Sequence, residues 1–171
     1  SRPPSAVSVD ECNRYLSELD FVDPVPVIEE VAQDWVVARV KIDGLHLRPG
    51  GYVPGPVMMT AVDVVAWFLV FTRNGITPMA LTWDLKINFL RPAQGADLIV
   101  RARQTKFGKL CHASIDLHMD GDPDRLVAHA TTTFVFLPRA DQIPLRSRAA
   151  ALTQIGDSGA DLGIDMRNLR C

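Results

Sequence analysis

Asp63 is the only charged residue in the fifteen-residue apolar run from Val57 to Phe71. A carboxylate removed from water without a partner is costly, so such a group is either paired or used as a base or nucleophile. Just upstream stand Pro54, Gly55 and Pro56. A proline suits the first turn of a helix, where the backbone N–H groups have no intrahelical acceptor and the dipole's positive end lies. Gly55 and Val57 keep their N–H groups and Pro56 has none, so two donors face whatever negative charge develops there. One missing donor of this kind typically costs about 3–4 kcal/mol in a barrier. Thr60, one turn before Asp63, shares its helix face. Its hydroxyl is expected to bond back to the helix backbone before it is expected to act in catalysis.

The histidines form no metal site by spacing. His112 and His118 lie six residues apart on one strand, about 20 Å. A hairpin turning through Asp120-Gly121-Asp122-Pro123-Asp124 places His129 opposite Ile115, whose side chain points to the other face. The three cysteines, Cys12, Cys111 and Cys171, are far apart with no CxxC spacing. That argues against a disulfide scaffold and a zinc site and fits a reducing, cytoplasmic setting.

These groups need elements to hold them. Pro56 to Asn74 is too long for a buried strand, and Gly75 is placed as its stop, so the run reads as a helix apolar nearly all round. In a soluble protein such a helix is surrounded by protein. Before it, residues 46–56 hold three prolines and three glycines and form a loop with strict backbone demands. Gln33 to Ile42 is β-branched and apolar, a strand ending at Asp43-Gly44. After the helix come four strand-like runs. The first, residues 81–89, alternates Leu81, Trp83, Leu85, Ile87 and Phe89 with polar residues. The others are Asp97 to Phe107, Leu110 to Met119 and Arg125 to Leu137. Near the start, Ser8 or Asp10 offers an N-cap for a short helix carrying Cys12, Tyr15, Leu16 and Leu19. Phe21 to Glu30, with two prolines, reads as extended chain, and a further short helix is expected near Arg146 to Ile155.

One strand, a buried helix and four strands give an α+β domain, a curved antiparallel sheet wrapped around a central apolar helix. A single sheet cannot enclose a helix apolar all round, so a second copy of the chain is expected to complete the shell. The 171 residues suit one domain, and 47% hydrophobic with 22% charged residues is the balance of a globular protein. With 18 basic against 20 acidic residues, no bulk field draws in nucleic acid or an anionic membrane. The fifteen-residue apolar run containing Asp63 is shorter than the roughly 20 residues a membrane span needs.

The run Gly55-Pro56-Val57 through Asp63, with the Asn88-Phe89-Leu90-Arg91-Pro92 strand end, Gly95-Ala96-Asp97-Leu98 and the Gly108-Lys109 turn, resembles the hotdog-fold acyl-CoA thioesterases of the phenylacetate (PaaI-like) group. The resemblance covers roughly residues 35–137. It implies a hotdog domain over residues 33–138, between an N-terminal extension with a short helix (1–32) and a C-terminal tail (139–171). It further implies a homodimer, or a tetramer built as a dimer of dimers, with coenzyme A entering only as part of the substrate and no other cofactor. In that family, loop polar groups and helix-start amides polarise the thioester carbonyl, and the acidic residue of the partner subunit serves as base or nucleophile.

Asp63 matches that acidic residue. The family's loop histidine falls at Pro54, its upstream asparagine at Arg48, and the second glycine of its Gly-Gly pair at Pro56. The implied catalytic set is Asp63, Gly55 and Val57, with Thr60 beside them. The candidate substrate contacts are Arg48, Tyr52, Pro54, Trp83, Asn88, Arg91, Gly108 and Lys109; the resemblance places Arg91 and the Gly108-Lys109 turn near the coenzyme channel's mouth, and the aromatic rings of Tyr52 and Trp83 are read as acyl-tunnel walls. The expected activity is hydrolysis of an acyl-CoA or acyl-carrier thioester. Two alternatives stand beside it. His46 lies eight residues before Pro54-Gly55, as a catalytic histidine does in hotdog hydratases and dehydratases, although the partner acid of those enzymes falls at Thr60. A non-catalytic subunit that binds acyl thioesters is the other.

Overall fold

The computed structural model describes residues 2–136, which form one sheet and two α-helices. The expected helix near Arg146 to Ile155, the tail 139–171 and Cys171 lie outside the described residues. In chain order the elements are α1 (Val9–Ser17), β1 (Val27–Ala32), β2 (Trp35–Val40), α2 (Gly55–Asn74), β3 (Ala80–Phe89), β4 (Leu98–Lys106), β5 (Leu110–Met119) and β6 (Leu126–Phe136). The six strands make one antiparallel sheet in the order β1-β2-β4-β5-β6-β3, with α2 packed along it. This is the α+β arrangement expected, a sheet wrapped around one long helix.

The sheet starts at Val27, ahead of the expected boundary at residue 33, because Val27–Ala32 pairs with β2. Pro24 and Pro26 disguise this strand in the sequence, yet both precede its first residue. α1 begins at Ser8 through a capping box: the Ser8 hydroxyl accepts from the Glu11 N–H while the Glu11 carboxylate accepts from the Ser8 N–H at 2.8 Å. Asn13 then ties α1 to the sheet edge, donating to the Ile28 carbonyl (2.9 Å) and accepting from its N–H (2.8 Å).

α2 spans 20 residues and ends at Gly75, whose φ of 75° is the left-handed region that favours glycine. By length and composition it would suffice to cross a membrane, but here it is the core helix, with Val62, Val65, Phe68, Leu69 and Phe71 wholly buried. One stripe is left out of that burial. Pro56, Met59, Thr60, Asp63 and Trp67 recur at helical spacing and stay exposed or half-buried. β3, the strand beside this stripe, is one of the two edges of the sheet, pairs only with β6 among the described residues, and carries Leu81, Trp83 and Phe89 exposed.

Two bulges reset the registers read from the sequence. In β3, Thr82 pairs with Phe134 and Asp84 with Thr133, which leaves Trp83 unpaired. The face turned to α2 is therefore Ala80 and Thr82 before the bulge and Leu85, Ile87 and Phe89 after it, in place of the unbroken alternation of residues 81–89. In β6, Leu117 pairs with Ala128 and His118 with Leu126, so Val127 is extra. That single residue moves His129 opposite Asp116 instead of Ile115, and its ring Nδ1 lies 2.7 Å from the Asp116 carboxylate.

Candidate active site

The start of α2 is built by a close approach. A side-chain Cβ at Gly55 would stand 3.1 Å from the Phe89 ring, so glycine lets the helix begin this near to β3 without a shift of that ring. The loop before it is fastened to the chain after β3: the Val53 N–H donates to the Ala93 carbonyl at 2.8 Å, and Tyr52 bridges Gln94. Gly50 and Gly51, at φ 92° and 75°, make the turn that allows Arg48 to pair with Tyr52. Pro54 is the N-cap and gives no side-chain cap. The Met58 N–H turns back to the Pro54 carbonyl. The N–H groups of Gly55 and Val57 are therefore the first-turn donors without an intrahelical partner, as Pro56 has none.

Asp63 lies eight residues further along α2, about 12 Å down the helix axis. It is half-buried, and its Oδ1 accepts a 2.6 Å hydrogen bond from the Thr82 hydroxyl. Among the described residues no cation pairs with it. The β3 bulge is what turns Thr82 toward the helix, and with it supplies the partner that a carboxylate in apolar surroundings requires. Nothing in the Leu81–Leu85 alternation marks Thr82 in the sequence; only the register with Phe134 on β6 does.

Asp63 and Thr82 stand on the wall of an apolar groove of about 390 Å³. Val64 and Trp67 continue the α2 side, Pro78, Ala80 and Leu81 the β3 side, Phe134 lies between, and Tyr15, Leu19 and Phe21 close over from the N-terminal segment. Trp67 is thus a wall residue, whereas Phe68 and Phe71 are wholly buried in the core.

The other sequence candidates fall into separate places. Arg48, Tyr52 and Pro54 stand at the helix start, and so does Arg91, which donates to the Leu126 carbonyl at 2.8 Å while its backbone N–H bonds Val127. Gly108 and Lys109 sit at the opposite end of the sheet, before Leu110, which pairs with Val135. Val127 and Val135 are eight residues apart on β6, about 27 Å. Arg91 and Lys109 of one chain therefore do not flank one channel mouth. Trp83 occupies the bulge, half exposed, and Tyr52 lines a different groove with Pro92, Gln94 and Arg125, so neither borders the groove at Asp63. Asn88 is exposed on the outer face, paired with His129. Thr60 lies on the uncovered stripe between the helix start and Asp63.

His46 ends a 3-10 turn and bonds Asp23 through Nε2 at 3.2 Å; its Nδ1 lies 2.9 Å from the Asp43 carboxylate but makes no hydrogen bond. Its ring is engaged away from both Asp63 and Thr60. Among the described residues no three His, Cys, Asp or Glu side chains converge as a metal site. Two cysteines are buried, and burial pushes the Cys12 thiol up to about 11 and the Cys111 thiol up as well.

Comparison with known proteins meets this geometry. The thioesterase superfamily model matches residues 50–111, from the glycine turn before α2 to the start of β5. A Pseudomonas aeruginosa protein named "putative esterase" is 33% identical over 119 residues, 68% of this chain and 85% of its own length. The chain belongs to the thioesterase superfamily. A crystal structure of a "putative thioesterase" from Silicibacter sp. TM1040 is 31% identical with a TM-score of 0.71, covering 78% of this chain and 94% of that one. Thioesterase superfamily member 2 from Mus musculus, 20% identical with a TM-score of 0.67 over 78% of this chain and 99% of its own, shares the fold. The superfamily's hotdog fold is the sheet-around-helix architecture described above, and thioester hydrolysis is its general chemistry.

Proposed function

We propose that the chain hydrolyses acyl-CoA or acyl-carrier thioesters in a site shared between two copies, with the helix start of one and Asp63 of the other acting on the same carbonyl. The observation that carries this reading is Asp63 itself, a half-buried carboxylate that among the described residues is held by one neutral hydroxyl, on the wall of an apolar groove. A base or nucleophile must lie within about 3 Å of the atom it acts on, and an oxyanion donor equally near its oxygen. With about 12 Å of helix between Gly55 and Asp63, one copy does not meet both demands. The uncovered stripe of α2 and the apolar edge strand β3 are the surfaces through which a second copy would bring them together. The same pairing would bring Arg91 of one copy toward Lys109 of the other.

In this site the Gly55 and Val57 N–H groups receive the carbonyl oxygen. With Asp63 as base, the carboxylate takes a proton from water as the hydroxide oxygen bonds to the carbonyl carbon. The tetrahedral oxyanion collapses, the C–S bond breaks, and the proton passes to the leaving thiolate. With Asp63 as nucleophile, a carboxylate oxygen attacks instead, and water then cleaves the resulting anhydride. Two amide donors and a carboxylate supply what hydrolysis requires, so the missing loop histidine and asparagine affect binding and rate more than the type of chemistry. Among the described residues no contact favours the hydratase reading, and the one hydrogen bond of the His46 ring goes to Asp23.

The test is a panel of acyl-CoA esters followed by thiol release, run beside an enoyl-CoA hydration assay. Thiol release without hydration is expected. Hydration without thiol release would overturn the proposal, and binding with neither reaction would leave the non-catalytic subunit standing.

A further inference from the structure

We infer that the N-terminal segment, through Leu19 and Phe21, sets the size of the acyl group that the groove at Asp63 admits. This rests on the thioester reading and adds the residues that choose among substrates. The groove has one carboxylate, Asp63, with the Thr82 hydroxyl beside it; apart from the Tyr15 phenol and the Trp67 indole at the far end, its walls are apolar. That is the polarity of an acyl thioester, one polar carbonyl joined to an apolar tail. α2 and β3 run antiparallel, so Thr82 lies beside Asp63 and Ala80 lies further on, toward Trp67. A carbonyl at Asp63 therefore sends its tail toward Trp67 and the N-terminal segment.

That end is closed by side chains of unequal freedom. Tyr15 is fixed by ring contacts to Trp67, Phe68 and Phe71, with centroids 5.9 to 6.2 Å apart. α1 beneath it is anchored through Asn13, Cys12 and Leu16. Leu19 and Phe21 follow the end of α1, and Phe21 is 73% exposed although it borders the groove. It therefore caps the cavity without contributing to the core, so its truncation enlarges the space and leaves the fold alone. At about 390 Å³ the groove is at the small end of ligand pockets and open to solvent along one side, so the side chains on its border limit the length of tail it can cover.

The experiment compares the wild-type chain with Phe21→Ala, Leu19→Ala and Leu19→Trp over saturated acyl-CoA esters of increasing length. Both alanine variants are expected to move the kcat/KM optimum to longer chains, with the ratio of long to short rising about tenfold or more, and Leu19→Trp to move it to shorter ones. A hydrophobic pocket typically discriminates by about 10–200-fold per methylene. Calorimetry with non-hydrolysable acyl-CoA thioethers reads the same shift in Kd, so the inference is tested even if thiol release fails. Loss of hydrolysis with a shifted binding series would sink the catalytic reading alone. An unchanged length profile in both measurements would overturn the inference. So would variants that change only the self-association constant in sedimentation, for the groove would then hold part of a second copy.

Discussion

Asp63→Asn separates chemistry from architecture because, among the described residues, the carboxylate has one partner and it is neutral. The Thr82 hydroxyl donates to Oδ1 at 2.6 Å, and an asparagine carbonyl in the same place still accepts that bond. What is lost is the difference between a charged and a neutral acceptor, about 1 kcal/mol. For a domain of this size that is a fall in Tm of about 2–6 °C. Were Asp63 half of a buried ion pair, the stranded partner would instead cost about 3–5 kcal/mol. Removing a general base typically lowers turnover by about 10²–10⁴-fold, and an interaction made only in the transition state leaves ground-state binding intact. Thermal melting, calorimetry with a non-hydrolysable acyl-CoA and thiol release on one variant give all three values. The expected result is a small fall in Tm, unchanged Kd and a loss of kcat of at least about a hundredfold. Normal turnover would refute the reasoning, and a collapse in stability would show a charge pairing with Asp63.

Three further outcomes are expected. Gly55→Ala places a Cβ 3.1 Å from the Phe89 ring, so the ring or the helix start must shift by a few tenths of an ångström; with the first amide donor moved, kcat should fall about tenfold or more with Kd little changed, and wild-type kinetics would show that the ring alone gives way. His46→Ala should keep hydrolysis within about a hundredfold of wild type, because its ring bonds Asp23 and neither Asp63 nor Thr60; a greater loss with intact melting would revive His46 as a base. The Cys12 thiol, raised to about 11 by burial, should resist alkylation at pH 8 until denaturant is added, as peptide mass spectrometry would show. Since its folded value lies above its unfolded one, the protonated thiol's contribution to stability is complete below the unfolded value. It is lost as pH rises through about 11, and rapid labelling of the native protein would contradict the assignment.

Much of the architecture is legible in the sequence because it rests on local rules. The apolar run with Pro56 at its start and Gly75 at its end is α2, and Ser8 with Glu11 makes the capping box of α1. β1 is hidden because Pro24 and Pro26 break the apolar pattern just before it, and a strand's existence is decided by pairing with β2. The bulges are hidden for a stronger reason. Leu81 to Leu85 alternates without a flaw, yet the chain places an extra residue at Trp83, with the Thr132 hydroxyl bonding the Asp84 carbonyl at 2.8 Å. Thr82 turns inward as a result, and no sequence period announces it. The extra Val127 likewise moves His129 by one position while its carbonyl receives the N–H groups of Leu90 and Arg91. Asp63 stands out as a lone charge in an apolar helix, but its groove is assembled from Tyr15, Leu19, Phe21, Trp67 and Phe134, residues brought together only by tertiary packing.

The most direct test of a shared site uses two variants that are each expected to be inactive, Asp63→Asn and Gly55→Val, unfolded together and refolded as a mixture. In a mixed dimer one site combines the intact helix start of the first variant with the intact Asp63 of the second, and the other site is doubly impaired. Random reassortment makes half of the dimers mixed, so roughly a quarter of wild-type activity should return. Each variant refolded alone should stay inactive. If native mass spectrometry shows the mixed dimers and thiol release does not recover, the helix start and Asp63 do not act across two copies, and the account of the site is wrong.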